Sequence, residues 1–131
     1  MSHVVKLKLQ VRDLSALELA AAELGCELVR DQKTHLYYAG NRAKCDHVIR
    51  VKGADAQTYE IGVIAKPDGT FELQADFYRG GYGLTDRVGY QAQTLTNEYA
   101  VQVAMKHVAE QGYRPYRWVN ELNQVVITAE R

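Results

Sequence analysis

The chain has 131 residues, of which 47% are hydrophobic and 24% charged, and its 16 basic residues balance its 16 acidic ones. These values are typical of a single folded domain spanning residues 1–131 and argue against wholesale disorder. Zero net charge also argues against a protein whose main role is to coat nucleic acid or an anionic membrane, because neither surface would attract it at long range.

The cysteine content and the first residues indicate a reducing compartment. Only Cys26 and Cys45 occur, and Met1-Ser2-His3 leads into an alternating segment without the apolar stretch of a secretory signal. No apolar run approaches the length that spans a bilayer. We therefore expect a soluble, cytoplasmic protein in which both thiols are reduced core residues.

The first thirty residues predict a strand, a helix and a second strand. Apolar and polar residues alternate from Val5 to Arg12, as in a half-buried strand. Asp13 or Ser15 is expected to cap a helix with apolar residues at helical spacing, and Gly25 to close it. A short strand follows directly.

The middle of the chain predicts a run of strands. The segment from His35 to Tyr38 is an optional strand, and residues 46–51 are predicted to form a strand. The segments 59–64 and 71–77 form a hairpin about Pro67-Asp68-Gly69, because Pro presets φ and Gly accepts the positive φ of a tight turn.

The last third predicts one long helix and two strands. The helix runs from about Thr85 to Gln111, with Gly112 as its stop, and the strands cover 113–119 and 124–129. The order β-α-β-(β)-β-β-β-α-β-β lacks the alternating rhythm of a doubly wound fold. We therefore expect an α+β domain with two helices packed on an antiparallel sheet.

A glycine-rich loop is the first candidate site. Arg79, Gly80, Gly81, Tyr82 and Gly83 stand just before the predicted long helix, where free N–H groups and the helix dipole favour an anion. The loop is therefore a candidate phosphate or carboxylate cradle. Its spacing matches neither the Walker pattern nor the dinucleotide fingerprint, and glycines at such a corner also serve backbone geometry alone.

A basic, aromatic segment is the second candidate. Tyr116, Arg117 and Trp118 lie within the run 113–118, and rings beside guanidinium groups suit a single-stranded nucleic acid. Lys6, Lys8 and Arg12 would extend this surface if the strands are neighbours. The alternative interpretation is a strand that alternates between core and solvent, which the zero net charge favours.

Thiol, imidazole and carboxylate groups form no recognisable centre. Cys45-Asp46-His47 offers two metal ligands at most, whereas structural zinc sites usually show two paired clusters. A catalytic Cys–His pair needs a third group that orients the imidazole, and no such group is evident. Glu60, Glu72 and Asp76 are interpreted as carboxylates on an exposed strand face. We expect no metal, no cofactor and no catalytic residue.

Short segments along almost the whole chain match the pattern of a known family. They are Met1-Ser2-His3, Leu24-Gly25, Cys45-Asp46-His47-Val48-Ile49-Arg50, Tyr59-Glu60-Ile61-Gly62, Phe71-Glu72-Leu73-Gln74-Ala75-Asp76 and Tyr99 with Gln111-Gly112-Tyr113. In these segments the chain resembles the small cyanobacterial and red-algal plastid proteins called hypothetical chloroplast reading frame thirty-five, which have homologues in bacteria and bacteriophages. That family is a domain of unknown function, so the resemblance implies no catalytic residues. Gene neighbourhood with AAA-type ATPases implies an accessory or adaptor role.

Three functional hypotheses of different classes follow. The first is a non-enzymatic binding or adaptor module of bacterial or phage origin, acting through a protein partner, such as an AAA-type ATPase, or as a homo-oligomer. It is based on the lack of a catalytic pattern, the nine tyrosines and the alternating sheet faces. The alternative is a nucleotide- or single-stranded-nucleic-acid-binding protein that uses 79–84 and 113–118. An enzyme using Cys45 or His47 is the least favoured hypothesis.

Overall fold

The computed structural model describes the backbone of residues 4–131, with the side chains of residue 7 and of residues 10–131. The predicted alternation at Val5, Lys6, Lys8 and Leu9 therefore lies outside the described side chains. Within the described part of the strand, Leu7 is half-buried, Gln10 is exposed and Val11 is buried.

The strands are β1 Val4–Val11, β2 Cys26–Arg30, β3 Thr34–Leu36, β4 Arg42–Lys44, β5 His47–Val51, β6 Ile61–Ala65, β7 Phe71–Asp76, β8 Arg114–Val119 and β9 Val125–Glu130. Five of them form an antiparallel sheet at the centre of the molecule, in the order β1-β7-β6-β5-β2. The predicted sheet is thus confirmed, as is the turn at Pro67-Asp68-Gly69 between β6 and β7. Two further antiparallel pairs, β3-β4 and β8-β9, stand apart from this sheet.

The α-helices of the described residues are α1 Leu14–Glu23, α2 Leu84–Val88 and α3 Gln93–Glu110. As predicted, Asp13 caps α1, where its carboxylate accepts a hydrogen bond from the Ala16 N–H at 3.0 Å. The single long helix predicted from Thr85 to Gln111 is wrong. The chain leaves helical conformation at Gly89, where φ is +85°, and an added Cβ would collide with Thr94 Oγ1.

The core lies between one face of the sheet and the helices. Ile61 and Leu73, on neighbouring strands, pack with Leu17 of α1 and Leu95 of α3. The helices α1 and α3 also pack against each other. The Tyr99 hydroxyl of α3 accepts hydrogen bonds from the backbone N–H groups of Arg12 and Asp13, at 3.1 and 3.2 Å. This contact fixes α3 over the junction between β1 and α1.

The β3-β4 pair covers the opposite face of the sheet, a layer of which the sequence revealed only β3. His35 of β3 is fully buried, and its ring lies directly against Gly62 of β6. Any side chain at 62 would collide with that imidazole. Neither ring nitrogen has a hydrogen-bond partner among the described residues. Burial lowers the pKa of His35, and the backbone and carboxylate of the nearby Glu60 offset only part of this effect.

Stability should therefore depend on pH through His35. Because its folded-state pKa lies below the usual 6.5, the unfolded chain binds the proton more readily and stability falls as pH drops below that value. The loss is bounded by about 1.4 kcal/mol per pH unit, the value for one whole proton. Urea unfolding from pH 7.5 to 5.5 should show stability falling for the wild type, with a shallower slope for His35→Leu. Equal slopes would contradict the assignment.

Candidate functional site

The loop after β7 adopts a left-handed turn, which is the most unusual backbone feature of the described chain. Arg79, Gly80, Gly81 and Tyr82 have φ angles of +51°, +66°, +62° and +52° in succession. Such a conformation costs an L-residue about 1–2 kcal/mol, and only glycine adopts it freely. Arg79 and Tyr82 therefore sit in strained positions, and strain of this kind persists where the surrounding structure enforces it.

Hydrogen bonds to two neighbouring segments enforce the turn. The Tyr59 N–H donates to the Gly81 carbonyl at 2.9 Å, and the Thr58 hydroxyl donates to the Tyr82 carbonyl at 2.8 Å. The carboxylate of the fully buried Asp76 accepts from the Tyr78 N–H at 2.9 Å. A Cβ at Gly81 would lie 2.8 Å from Leu84 Cβ, so this position also requires glycine sterically.

The turn forms one wall of a cleft of about 330 Å³, which we call the tyrosine cleft. The loop between β3 and β4 and the segment before β6 supply the other walls. Ala39 in that loop also has a positive φ, +58°. The rings of Tyr59 and Tyr82 meet edge to face at 5.3 Å. The lining residues are Leu36, Tyr37, Tyr38, Ala39, Gly40, Ala56, Gln57, Tyr59 and Tyr82.

None of the residues that line the cleft is charged, but Arg79 belongs to the same turn as Tyr82, and the buried Asp76 carboxylate acts on Tyr59. The exposed Arg79 lies over the Tyr78 ring, 5.6 Å from its centre, and no described carboxylate forms an ion pair with it. Tyr78, and to a smaller extent Tyr82, raise the pKa of Arg79. Burial, followed by Tyr82 and Asp76, raises the pKa of Tyr59. The cleft thus combines phenol rings with an unneutralised cation beside them.

The first predicted site is only partly as expected. Arg79, Gly80, Gly81, Tyr82 and Gly83 do form one local structure beside a cleft. They do not precede a long helix, because α2 has five residues, so the expected support from a helix dipole is absent. The exposed ring of Tyr82 lines the cleft instead.

The second predicted site lies elsewhere, on the β8-β9 hairpin that packs against α3. Tyr116 and Trp118 are exposed on one face of β8. Arg117 alternates to the other face and binds both carboxylate oxygens of Glu98 of α3, at 2.8 and 3.0 Å. Burial alone would raise the pKa of Glu98, but hydrogen bonds from Arg117 and Gln102 lower it overall. Arg117 is therefore engaged within the fold rather than presented to a phosphate.

A family comparison places the chain among related sequences. The model of a family described as "Protein of unknown function (DUF1257)" matches residues 20–126. The chain belongs to the DUF1257 family. No curated protein and no solved structure gives a significant match. The tyrosine cleft and strand β8 lie within the stretch matched to DUF1257, which ends at the second residue of β9.

Thiol and imidazole groups are dispersed in this DUF1257 member. Cys45 precedes β5 rather than lying within it, and its buried thiol contacts the Gln32 carbonyl. Burial raises the pKa of both Cys26 and Cys45 to about 11, which disfavours the nucleophilic thiolate. The described residues hold no group of three or more His, Cys, Asp or Glu side chains placed to bind a metal. Nor do they include a helix with the length and apolar character needed to cross a bilayer.

Two carboxylates that we expected on an exposed strand face, Asp76 and Glu60, instead make contacts within the fold. Asp76 is fully buried, and its Oδ2 has no partner among the described residues. Glu60 accepts a hydrogen bond from the Leu36 N–H at 2.8 Å and pairs with Arg42 at 3.2 Å, which ties the β3-β4 pair to β6. No local sequence signal distinguishes these residues from exposed acids, because the covering layer comes from distant segments.

Because Arg79 is strained, its replacement by glycine should not destabilise the protein. Arg79→Gly removes a left-handed penalty of about 1–2 kcal/mol, and the added freedom of the unfolded chain offsets about 0.5–1 kcal/mol of it. We expect the variant to be as stable as the wild type or up to about 1.5 kcal/mol more stable. The matched control Ala100→Gly, at an exposed position of α3, should lose about 1 kcal/mol. Denaturant unfolding would test both, and equal losses would contradict the left-handed assignment.

Proposed function

We propose that this chain is a non-enzymatic binding module that acts by contact with a partner protein through the outer face and tip of the β8-β9 hairpin. The main support is a group of large apolar side chains that the hairpin leaves in solvent. Trp118 is 42% exposed, Tyr116 54%, Val119 58% and Leu122 77%. Contiguous exposed apolar surface on a folded protein is typical of an interaction site.

The strand register divides these side chains between two faces of the hairpin. Val119 and the exposed Val125 lie opposite each other on the face that carries Arg117. Trp118 lies on the outer face with Tyr116 and opposite Val126, so aromatic and aliphatic groups adjoin there. Tryptophan and tyrosine are enriched among residues that contribute most to binding at protein interfaces. The composition of this face therefore suits a protein partner.

The hairpin tip is rigid, which lowers the entropic cost of binding. The Asn120 side chain accepts hydrogen bonds from the N–H groups of Leu122 and Gln124, both at 2.9 Å. Asn123 takes a left-handed conformation, φ +61°, as is usual at the end of a three-residue hairpin loop. The turn thus places Leu122, an apolar residue at a position where turns are usually polar, as the most exposed of the hairpin's large apolar side chains.

Arg117 supports this surface by anchoring the hairpin to α3. With Arg117 bound to Glu98 on the inner side, Tyr116 and Trp118 are directed outward as a pair. The hairpin is therefore held on α3 and does not need to order itself when a partner arrives.

Site-specific photo-crosslinking tests this proposal. A benzophenone side chain at 122, added to an extract of the native host, should crosslink to one discrete protein or to a second copy of the chain, which sedimentation would distinguish by mass. The crosslink should disappear when Trp118→Ser is combined with the probe. The control position is 90, because Tyr90 is 71% exposed on a different surface. The same set of crosslinks from positions 122 and 90 would contradict a hairpin interface, and turnover of a small substrate would contradict a non-enzymatic role.

A further inference from the structure

The tyrosine cleft is separate from the hairpin surface and has the features of a small-ligand site. A volume of about 330 Å³ lies at the lower end of the range of ligand pockets, about 300–1,000 Å³, which suits one small molecule rather than a polymer. Ligand sites are usually apolar and aromatic with a few convergent polar groups. The cleft has that composition, with phenol rings and the amide of Gln57.

The cleft is also fixed before any ligand arrives. The hydrogen bonds from Tyr59 N–H and Thr58 Oγ1 bind the left-handed turn to the segment before β6. The Glu60 N–H donates to the Leu36 carbonyl at 3.0 Å, which joins that segment to β3. Three separate stretches of chain are thus locked around one opening. Retention of two strained residues in the turn is typical of sites that carry a function.

Charge narrows the class of ligand. A neighbouring cleft shares Leu36 and Ala56 with the tyrosine cleft and contains Arg42 and Arg50. Both of these arginines are neutralised, Arg42 by Glu60 at 3.2 Å and Arg50 by Glu27 at 2.6 Å. Arg79, by contrast, has no carboxylate partner among the described residues and lies over Tyr78. An anionic group would therefore be drawn to Arg79.

We propose that the tyrosine cleft binds a nucleoside monophosphate, with the base against the exposed ring of Tyr82 and the phosphate on the guanidinium of Arg79. Base–aromatic stacking and a guanidinium–phosphate pair are the two interactions that such a ligand requires. Gln57, whose side-chain amide makes no hydrogen bond to another described residue, offers both a donor and an acceptor to the edge of a base. The proposal does not depend on the hairpin, which carries the proposed function.

Calorimetric titration of the full chain with AMP and with adenosine tests the assignment. A charge-assisted hydrogen bond to phosphate corresponds to roughly 10-fold or more in affinity, so Arg79→Gln should weaken AMP binding by at least that factor. Adenosine, which lacks the phosphate, should bind the wild type weakly. Its affinity should not change with Arg79→Gln. Arg79→Lys keeps the charge and should recover part of the lost affinity.

Matched controls separate a specific effect from a general change in charge or folding. Arg131 lies over the Tyr113 ring at 5.8 Å, a similar arrangement on another surface, so Arg131→Gln should leave AMP affinity unchanged. Leu122→Asp on the hairpin should also leave it unchanged, so that failure of one proposal is distinguishable from failure of the other. The proposal is overturned if AMP does not bind at millimolar concentration, or if Arg79→Gln weakens AMP and adenosine equally.

Discussion

Two hydrogen bonds join the left-handed turn after β7 to the segment before β6, from Tyr59 N–H to the Gly81 carbonyl and from Thr58 Oγ1 to the Tyr82 carbonyl. Without them, the strain at Arg79 and Tyr82 would favour relaxation of the loop into an ordinary turn. The cleft wall, the outward position of Tyr82 and the exposure of Arg79 all depend on this connection. The buried Asp76 at the end of β7 supports it by accepting the Tyr78 N–H.

The sheet positions the two candidate surfaces and keeps them independent. On one face α1 and α3 complete the core, and α3 carries the β8-β9 hairpin through the contact between Glu98 and Arg117. On the other face the β3-β4 pair is held by the fit of His35 against Gly62, and its connecting loop forms part of the tyrosine cleft. A change in either surface can therefore be tested while the other serves as a control.

Local patterns predicted most of the architecture, because strand alternation, the Asp13 cap and the Pro67-Asp68-Gly69 turn are encoded by neighbouring residues. The break at Gly89 was missed because the apolar stripe continues across it with helical spacing, and Val88 and Leu95 are both buried. The site was harder to predict. The glycine-rich loop identified one wall of the cleft, but the tyrosines opposite it come from distant segments. The pairing of Arg117 with Glu98 is likewise a tertiary contact that no spacing in the sequence reveals.

The most direct test of this account is the backbone conformation of residues 79–82 in the free protein in solution. A positive φ brings the amide and α protons of one residue close together. Arg79 and Tyr82 should therefore each give a strong intraresidue NOE between these protons, and the Tyr59 amide should exchange slowly with solvent because it donates to Gly81. Weak intraresidue NOEs with rapid exchange at Tyr59 would show a loop that samples ordinary conformations. Such a loop could not form a fixed wall of the cleft, and the account would then be wrong.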